Sequence, residues 1–139
     1  RPIHTLSRSG EEKVVSERFF SKDHVWVEKR NGTVRAGLTE FACEELGEIV
    51  FIELPARGKS VVQGDVVCSL DSLKSASEIY APLSGKIVAV NAALESDKTL
   101  QIVNTDPEGE GWLFELELSA AEELSGLMSE SQYRVFISA

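Results

Sequence analysis

Few residues of this chain combine a reactive type with a suitable setting. Two histidines, His4 and His24, and two cysteines, Cys43 and Cys68, are its whole stock of imidazole and thiol. A nucleophilic cysteine needs an imidazole beside it, which here falls to His24. Cys68 sits in the apolar run Val66-Val67-Cys68-Ser69-Leu70, where a thiolate is disfavoured. Two cysteines 25 positions apart cannot make a four-cysteine zinc site, and no second histidine supports a site built on His24. Both cysteines read as small buried hydrophobes. The 23 acids show no spacing that singles out a working pair. Neither Gly-x-Gly-x-x-Gly nor a phosphate-binding loop occurs, and Gly109-Glu110-Gly111 leads into a strand pattern and reads as a turn. No catalytic residue and no metal ligand is assigned. One stretch stands out, around the polar turn Asp71-Ser72-Leu73-Lys74-Ser75, which carries Lys74. A lysine there points into water and, taken alone, signals only solubility.

The elements around Lys74 give it a setting. Leu54-Pro55 closes one strand, and Gly58, Val61 and Gly64-Asp65 then fall three apart as turn residues before a strand over 66–70. After the turn, the chain returns through 77–81, stops at Pro82 and turns at Ser84-Gly85 into a strand over 86–90. Lys74 is therefore expected at the tip of a hairpin. Upstream, Val25 and Val27 share a face, Asn31-Gly32 is a strong hairpin signal, and Val34, Ala36 and Leu38 alternate on the return strand. Thr39 caps a short helix through Glu45 or Leu46, with Gly47 at its C-terminal end. Ile49-Val50-Phe51-Ile52 is apolar on both faces and is expected to be covered. Leu100–Val103 and Trp112–Leu118 are expected as further strands. Ser119 to Glu122 has the form of a capping box, with Ala121, Leu124 and Met128 on one helical face. Tyr133, Phe136 and Ile137 continue the helical spacing. The expected fold is mainly β: a flattened barrel or sandwich of short antiparallel strands, with a short internal helix and a helical C-terminus.

Composition sets the outer bounds. The chain has 139 residues, 42% hydrophobic and 27% charged, which suits one hydrophobic core without disulfides. No apolar run approaches the ~20 residues of a membrane-spanning helix. A net charge of −9 argues against phosphate-backbone binding, so neither nucleic acid nor membrane is an expected partner. Residues 1–10 carry Arg1, Arg8, His4 and several Ser/Thr but no acid, whereas 95–139 carry ten acids against two bases. The basic start looks like a transit-peptide remnant. Residues 1–18 read as a flexible tail and 19–139 as the folded domain.

The wider pattern gives Lys74 a meaning. Gly58-x-x-Val61-x-x-Gly64-Asp65, a lysine ten residues after the second glycine, and Ala81-Pro82-x-x-Gly85-x-Ile87 beyond it resemble the biotinyl and lipoyl carriers. Such a carrier needs one amine on a rigid turn, free of packing. Ser21–Val27, Gly37-Leu38-Thr39, Leu46–Pro55, Asp71–Glu78, Tyr80–Gly85 and Asn104–Trp112 together resemble the H protein of the glycine cleavage system, over about 20–139. The chain departs from that pattern at Asp71, Leu73 and Ser75 beside the lysine, at Val25, where the family often has Glu, and in a longer, proline-free segment at 95–99.

The resemblance implies a lipoyl-like hybrid fold and a carrier that is not itself an enzyme, with lipoate joined covalently to Lys74. It implies shuttling of an aminomethyl unit from glycine decarboxylase (P protein) to aminomethyltransferase (T protein), and of electrons to dihydrolipoyl dehydrogenase (L protein). A lipoyl-attaching enzyme is the fourth implied partner. A monomer and a mitochondrial-matrix address, or a cytosolic one if the source is bacterial, complete the expectation. Glu28, just after the Trp26-Val27 strand, is the acid expected to help hold the charged amine of the loaded arm. The alternatives are a lipoyl relay or H-like interaction module outside glycine breakdown, and a binding scaffold without an arm. A stand-alone enzyme would need a second catalytic group near Lys74, and Asp71, Ser72 and Ser75 read as turn formers.

Overall fold

The computed structural model describes residues 17–138 apart from Asn31 and Asp97. The elements in chain order are β1 (Arg18–Phe20), β2 (Val25–Lys29), β3 (Thr33–Leu38), α1 (Glu40–Leu46), β4 (Ile49–Glu53), β5 (Ser60–Val61), β6 (Val66–Ser72), β7 (Ala76–Tyr80), β8 (Gly85–Val90), α2 (Ile102–Thr105), β9 (Phe114–Leu118) and α3 (Glu130–Ser138). They form two antiparallel sheets rather than a closed barrel. One has six strands in the order β1-β2-β3-β9-β8-β5, the other three in the order β4-β6-β7.

Alternation explains how the sheets meet. Val25, Val27, Val34, Ala36, Leu113, Phe114 and Leu116 from the larger sheet and its approach join Ile49, Ile52, Leu70 and Ile79 from the smaller one in a single buried cluster. Each fully buried aliphatic or aromatic side chain contributes about 1.5–3 kcal/mol, so this cluster is the main source of stability. A second cluster, Phe20, Trp26 and Tyr133 with Met128 and Ile137 against it, fastens α3 to β1 and β2. Trp26 is fully buried and donates its indole N–H to the Pro107 carbonyl at 3.0 Å. A Cβ on Gly37 would lie 3.0 Å from its ring, so Gly37 is where β3 makes room for the indole.

Four expectations are corrected. The run 49–52 is not covered on both faces: Ile49 and Ile52 are buried, but Val50 is 39% and Phe51 54% exposed. A register shift between Ile49 and Phe51 turns both outward on a sheet covered on one side only. Leu100–Val103 is not a strand. Leu100 and Val103 are buried three residues apart, and the chain there is a turn running into α2. A four-residue apolar run carries too little periodicity to separate the two forms.

Residues 119–122 make no capping box. A 3₁₀ helix spans Ala121–Gly126 with no side-chain cap, and the Ser119 N–H donates to the Ser84 carbonyl at 3.2 Å. The carboxylate in use is that of Glu123, which accepts the Ser84 N–H at 2.7 Å and its hydroxyl at 2.9 Å. Met128, finally, lies beyond that helix. It pairs with Phe20 through two backbone hydrogen bonds of 2.8 Å, giving β1 a short extra partner before α3 begins.

The remaining local readings agree with the structure, except that the strand expected over Trp112–Leu118 begins at Phe114, and Leu113 before it is fully buried. The β2–β3 hairpin has Gly32 at φ 74°, whereas Asn31 lies outside the described residues. The strand expected over 66–70 extends to Ser72, and that over 86–90 starts at Gly85. Thr39 caps α1, its hydroxyl accepting the Ala42 N–H at 3.1 Å. Asp65 folds its own turn by accepting the Val62 N–H at 2.9 Å.

Candidate functional site

Lys74 stands at the tip of the β6–β7 hairpin, exposed, as the turn residues require. Ser72 builds that tip. Its hydroxyl accepts the N–H groups of both Lys74 and Ser75, each at 3.1 Å, and donates to the Ser75 carbonyl at 3.2 Å. The Ser72 N–H donates to the same carbonyl at 2.8 Å. The Leu73 N–H reaches across to the Glu48 carbonyl at 2.9 Å. Every backbone N–H from 72 to 75 is thus bonded within the fold, and the turn is fixed while the lysine side chain remains outside it.

The stem of the lysine has a seat. α1 ends at Gly47, whose N–H donates to the Cys43 carbonyl at 3.0 Å and whose φ of 85° favours glycine. A Cβ there would lie 3.3 Å from the Lys74 Cε and 3.5 Å from its Cγ. The missing side chain therefore leaves a shallow cradle for the lysine methylenes. Asn104 of α2 fixes the chain just beyond: its amide accepts the Ile49 N–H at 2.9 Å and donates to the Ile49 carbonyl at 3.0 Å. An open cleft of about 510 Å³ lies along this flank of α1, lined by Glu44, Gly47, Glu48, Gln101 and Asn104 among others.

The opposite end of α1 is anchored as well. The Tyr133 hydroxyl lies 2.8 Å from the Thr39 hydroxyl and 2.8 Å from His24 Nδ1, so α3, α1 and the β1–β2 turn meet at one phenol. His24 holds φ 66°, the one non-glycine residue with positive φ among the described residues, and its ring packs near Phe41 and Phe136. Burial is the main cause that raises the Tyr133 pKa above its ordinary value; the Thr39 hydrogen bond acts in the opposite direction.

The other reactive types are not brought to Lys74. Cys68 is buried in β6, and burial pushes its thiol up to about 12. Cys43 is pushed up to about 12 by burial first and then by Glu108, Glu40 and Glu44. Neither is a thiolate at neutral pH. His24 is committed to Tyr133. Among the described residues, no group of three or more His, Cys, Asp and Glu is placed to hold a metal ion. Glu28 pairs with Arg30 at 3.3 Å at the hairpin-turn end of β2. α1 and the lysine seat follow from the other end of β3, where Leu38 pairs with Val25. Glu28 therefore sits away from Lys74, and the acid adjoining the lysine turn is Glu48.

The sequence marks the hairpin tip at Lys74 and the α1 ends at Thr39 and Gly47, but not what Gly47 seats, the triple role of Ser72 or the Asn104 clamp. A serine just before a turn is a weak signal for the second. Nothing local marks Asn104, because its partner lies 55 residues away.

Lys74 is thus an exposed amine on a hairpin whose backbone is held, and among the described residues no cysteine, histidine or metal-ligating cluster is placed beside it. The cradle at Gly47 and the open tip fit an amide-linked arm on that lysine. Residues 18–139 match the family model of the glycine cleavage H-protein. The glycine cleavage system H protein of Thermotoga maritima is 44% identical over 117 residues, covering 84% of this chain and 93% of that protein. That of Coprothermobacter proteolyticus is 45% identical over 126 residues, covering 90% and 98%. The crystal structure of a glycine cleavage system H protein from Mycobacterium marinum superposes with a TM-score of 0.79 at 32% identity, covering 91% of this chain and all of that one. This chain belongs to the glycine cleavage H-protein family, the non-catalytic lipoyl carrier component of the glycine cleavage system.

Proposed function

We propose that Lys74 is the lipoylation site and that the protein shuttles an aminomethyl unit from glycine decarboxylase to aminomethyltransferase, then electrons to dihydrolipoyl dehydrogenase. The observation that carries this reading is the Lys74 tip itself: an exposed amine on a turn whose backbone is held by Ser72 and Glu48. When bound, lipoate supplies a dithiolane whose thiol–disulfide exchange takes up the one-carbon unit and two electrons. The chain supplies position. Ser72 keeps the tip from fraying, and Gly47 lets the lysine stem lie flat against the end of α1. An amide at Nζ removes the lysine charge, so an acylated side chain rests on apolar surface without desolvating a cation. Leu73, 71% exposed, offers such surface next to it.

The carrier domain is assigned from Arg18, which already pairs with Glu28 in β1, rather than from residue 19; residues 1–16 of the expected tail lie outside the described residues. The relatives named above are bacterial, which supports the cytosolic address of the two considered and lends nothing to a mitochondrial one. A carrier that must visit several enzymes in turn is best served as a monomer.

The test is loading. Lipoylated protein incubated with glycine decarboxylase and glycine gains an aminomethyl mass increment; Lys74→Arg does not. Lipoylated protein that the decarboxylase never loads contradicts glycine shuttling and favours the relay reading.

A further inference from the structure

The outer face of the smaller sheet combines two features that solvent alone does not explain. Phe51 is 54% exposed in β4, and Leu73 is 71% exposed at the hairpin tip. Phe51 pairs with Asp71 across β4 and β6, and Asp71 lies two residues before Leu73. That pairing puts Phe51 and Asp71 side by side on the exposed face, and Leu73 follows in the turn just beyond the end of β6. Glu53, one row further along, faces Ser69 and Glu78 across the same three strands. The charge is mostly acidic, with Arg57 and Lys59 falling between the two acidic stretches. From Ala36 to Ala56 the chain holds five glutamates and no lysine or arginine, and from Ser60 to Gly85 its only cation is Lys74. Two large exposed apolar side chains therefore stand among acids, Leu73 next to Lys74 in the chain and Phe51 paired with Asp71, three residues before it.

We propose that this face, with Phe51 and Leu73 as its apolar anchors, is the docking surface for the enzyme that acylates Lys74, and that this enzyme carries an apolar socket within a basic rim. The proposal rests on the carrier reading. Lys74 Nζ attacks the acyl carbonyl of an activated lipoyl donor such as the lipoyl adenylate. The new C–N bond forms, the C–O bond to phosphate breaks, AMP leaves with the electron pair, and the amine gives up a proton; nothing is oxidised or reduced. Any enzyme delivering that carbonyl to Nζ must cover the residues next to Lys74, and Leu73 is the first of them. Charge complementarity speeds and orients the encounter, while the desolvated apolar anchors hold the complex.

The experiment is the steady-state lipoylation of unmodified protein by a lipoate–protein ligase supplied with lipoic acid and ATP. The variants are Phe51→Ser, Leu73→Ser and Phe51→Tyr, with Val135→Ser as control. Val135 is 70% exposed on α3, away from this sheet. Thermal melts establish that each variant is folded, which the exposure of the mutated side chains favours. The expected result is a KM raised about tenfold by either serine at Phe51 or Leu73, with kcat within about twofold. Phe51→Tyr, which keeps the aromatic area, stays near wild type, and Val135→Ser is unchanged. Wild-type KM also rises with salt. Folded Phe51→Ser and Leu73→Ser with wild-type KM, or a Val135→Ser defect of equal size, overturns the docking proposal while leaving the carrier reading intact. Failure of the ligase to modify Lys74 in any protein, wild type included, overturns the carrier reading and this proposal with it.

Discussion

Lys74 stays in water because its backbone neighbours have already found partners inside the fold. Ser72 matters most here, since one hydroxyl accepts two N–H groups and donates to a carbonyl. Ser72→Ala is expected to cost about 1–3 kcal/mol, because half-buried donors lose their acceptor. It should also slow acylation of Lys74 without abolishing it; urea melts and lipoylation rates measure the two effects. Gly47→Ala meets both a positive φ and the lysine stem, so it should lower the melting temperature and shift the Lys74 side-chain resonances together. The thiols give a pH dependence. Cys68 is held neutral up to about 12 in the fold, against about 9 when exposed. Between those values the unfolded chain has lost a proton that the folded chain keeps, so stability falls as pH rises through that window. The slope approaches about 1.4 kcal/mol per pH unit for this cysteine. Urea midpoints from pH 9 to 11 test it, and Cys68→Ala should flatten the decline.

At the scale of the element, α1 is the part that connects the carrier tip to the rest of the fold. Its N-terminus is tied through Thr39 to Tyr133 and His24, and its C-terminus carries the lysine cradle. Tyr133→Phe removes a hydroxyl shared by both partners, and a loss of about 1–2 kcal/mol by chemical denaturation is expected. Local signals made most of this element legible. Thr39 before a helical run and Gly47 after it mark α1 from the sequence, as the turn residues at 71–75 mark the hairpin. What was not legible depends on partners distant in sequence. Ser119 to Glu122 satisfies the form of a capping box, yet the Ser119 N–H goes to Ser84, and the neighbouring Glu123 closes on Ser84 as well. Leu100 and Val103 are apolar enough for a strand, but they are buried three residues apart in a turn that runs into α2. Glu28 is expected near the arm only from its place after the Trp26-Val27 strand, whereas the fold puts it at the hairpin-turn end of β2 beside Arg30.

For the whole molecule, two sheets of unequal size divide the work. The larger sheet and α3 supply the bulk of the core, and the smaller sheet presents the hairpin with its outer face open. A net charge of −9 leaves the carrier dependent on partners with basic surfaces. Its encounter with aminomethyltransferase should therefore weaken as salt rises from about 50 to 500 mM, over which range the screening length shrinks severalfold. An affinity independent of salt, measured by titration calorimetry, would remove electrostatics from the account. Everything proposed for the carrier turns on one lysine, Lys74, bearing the arm. The most direct measurement is the intact mass of protein made in a lipoylating host, with a tryptic map across Lys74 and Lys74→Arg alongside. A single lipoyl increment is expected on the peptide containing Lys74, absent from the variant. A folded protein with unmodified Lys74, or with the increment on another lysine, would contradict it.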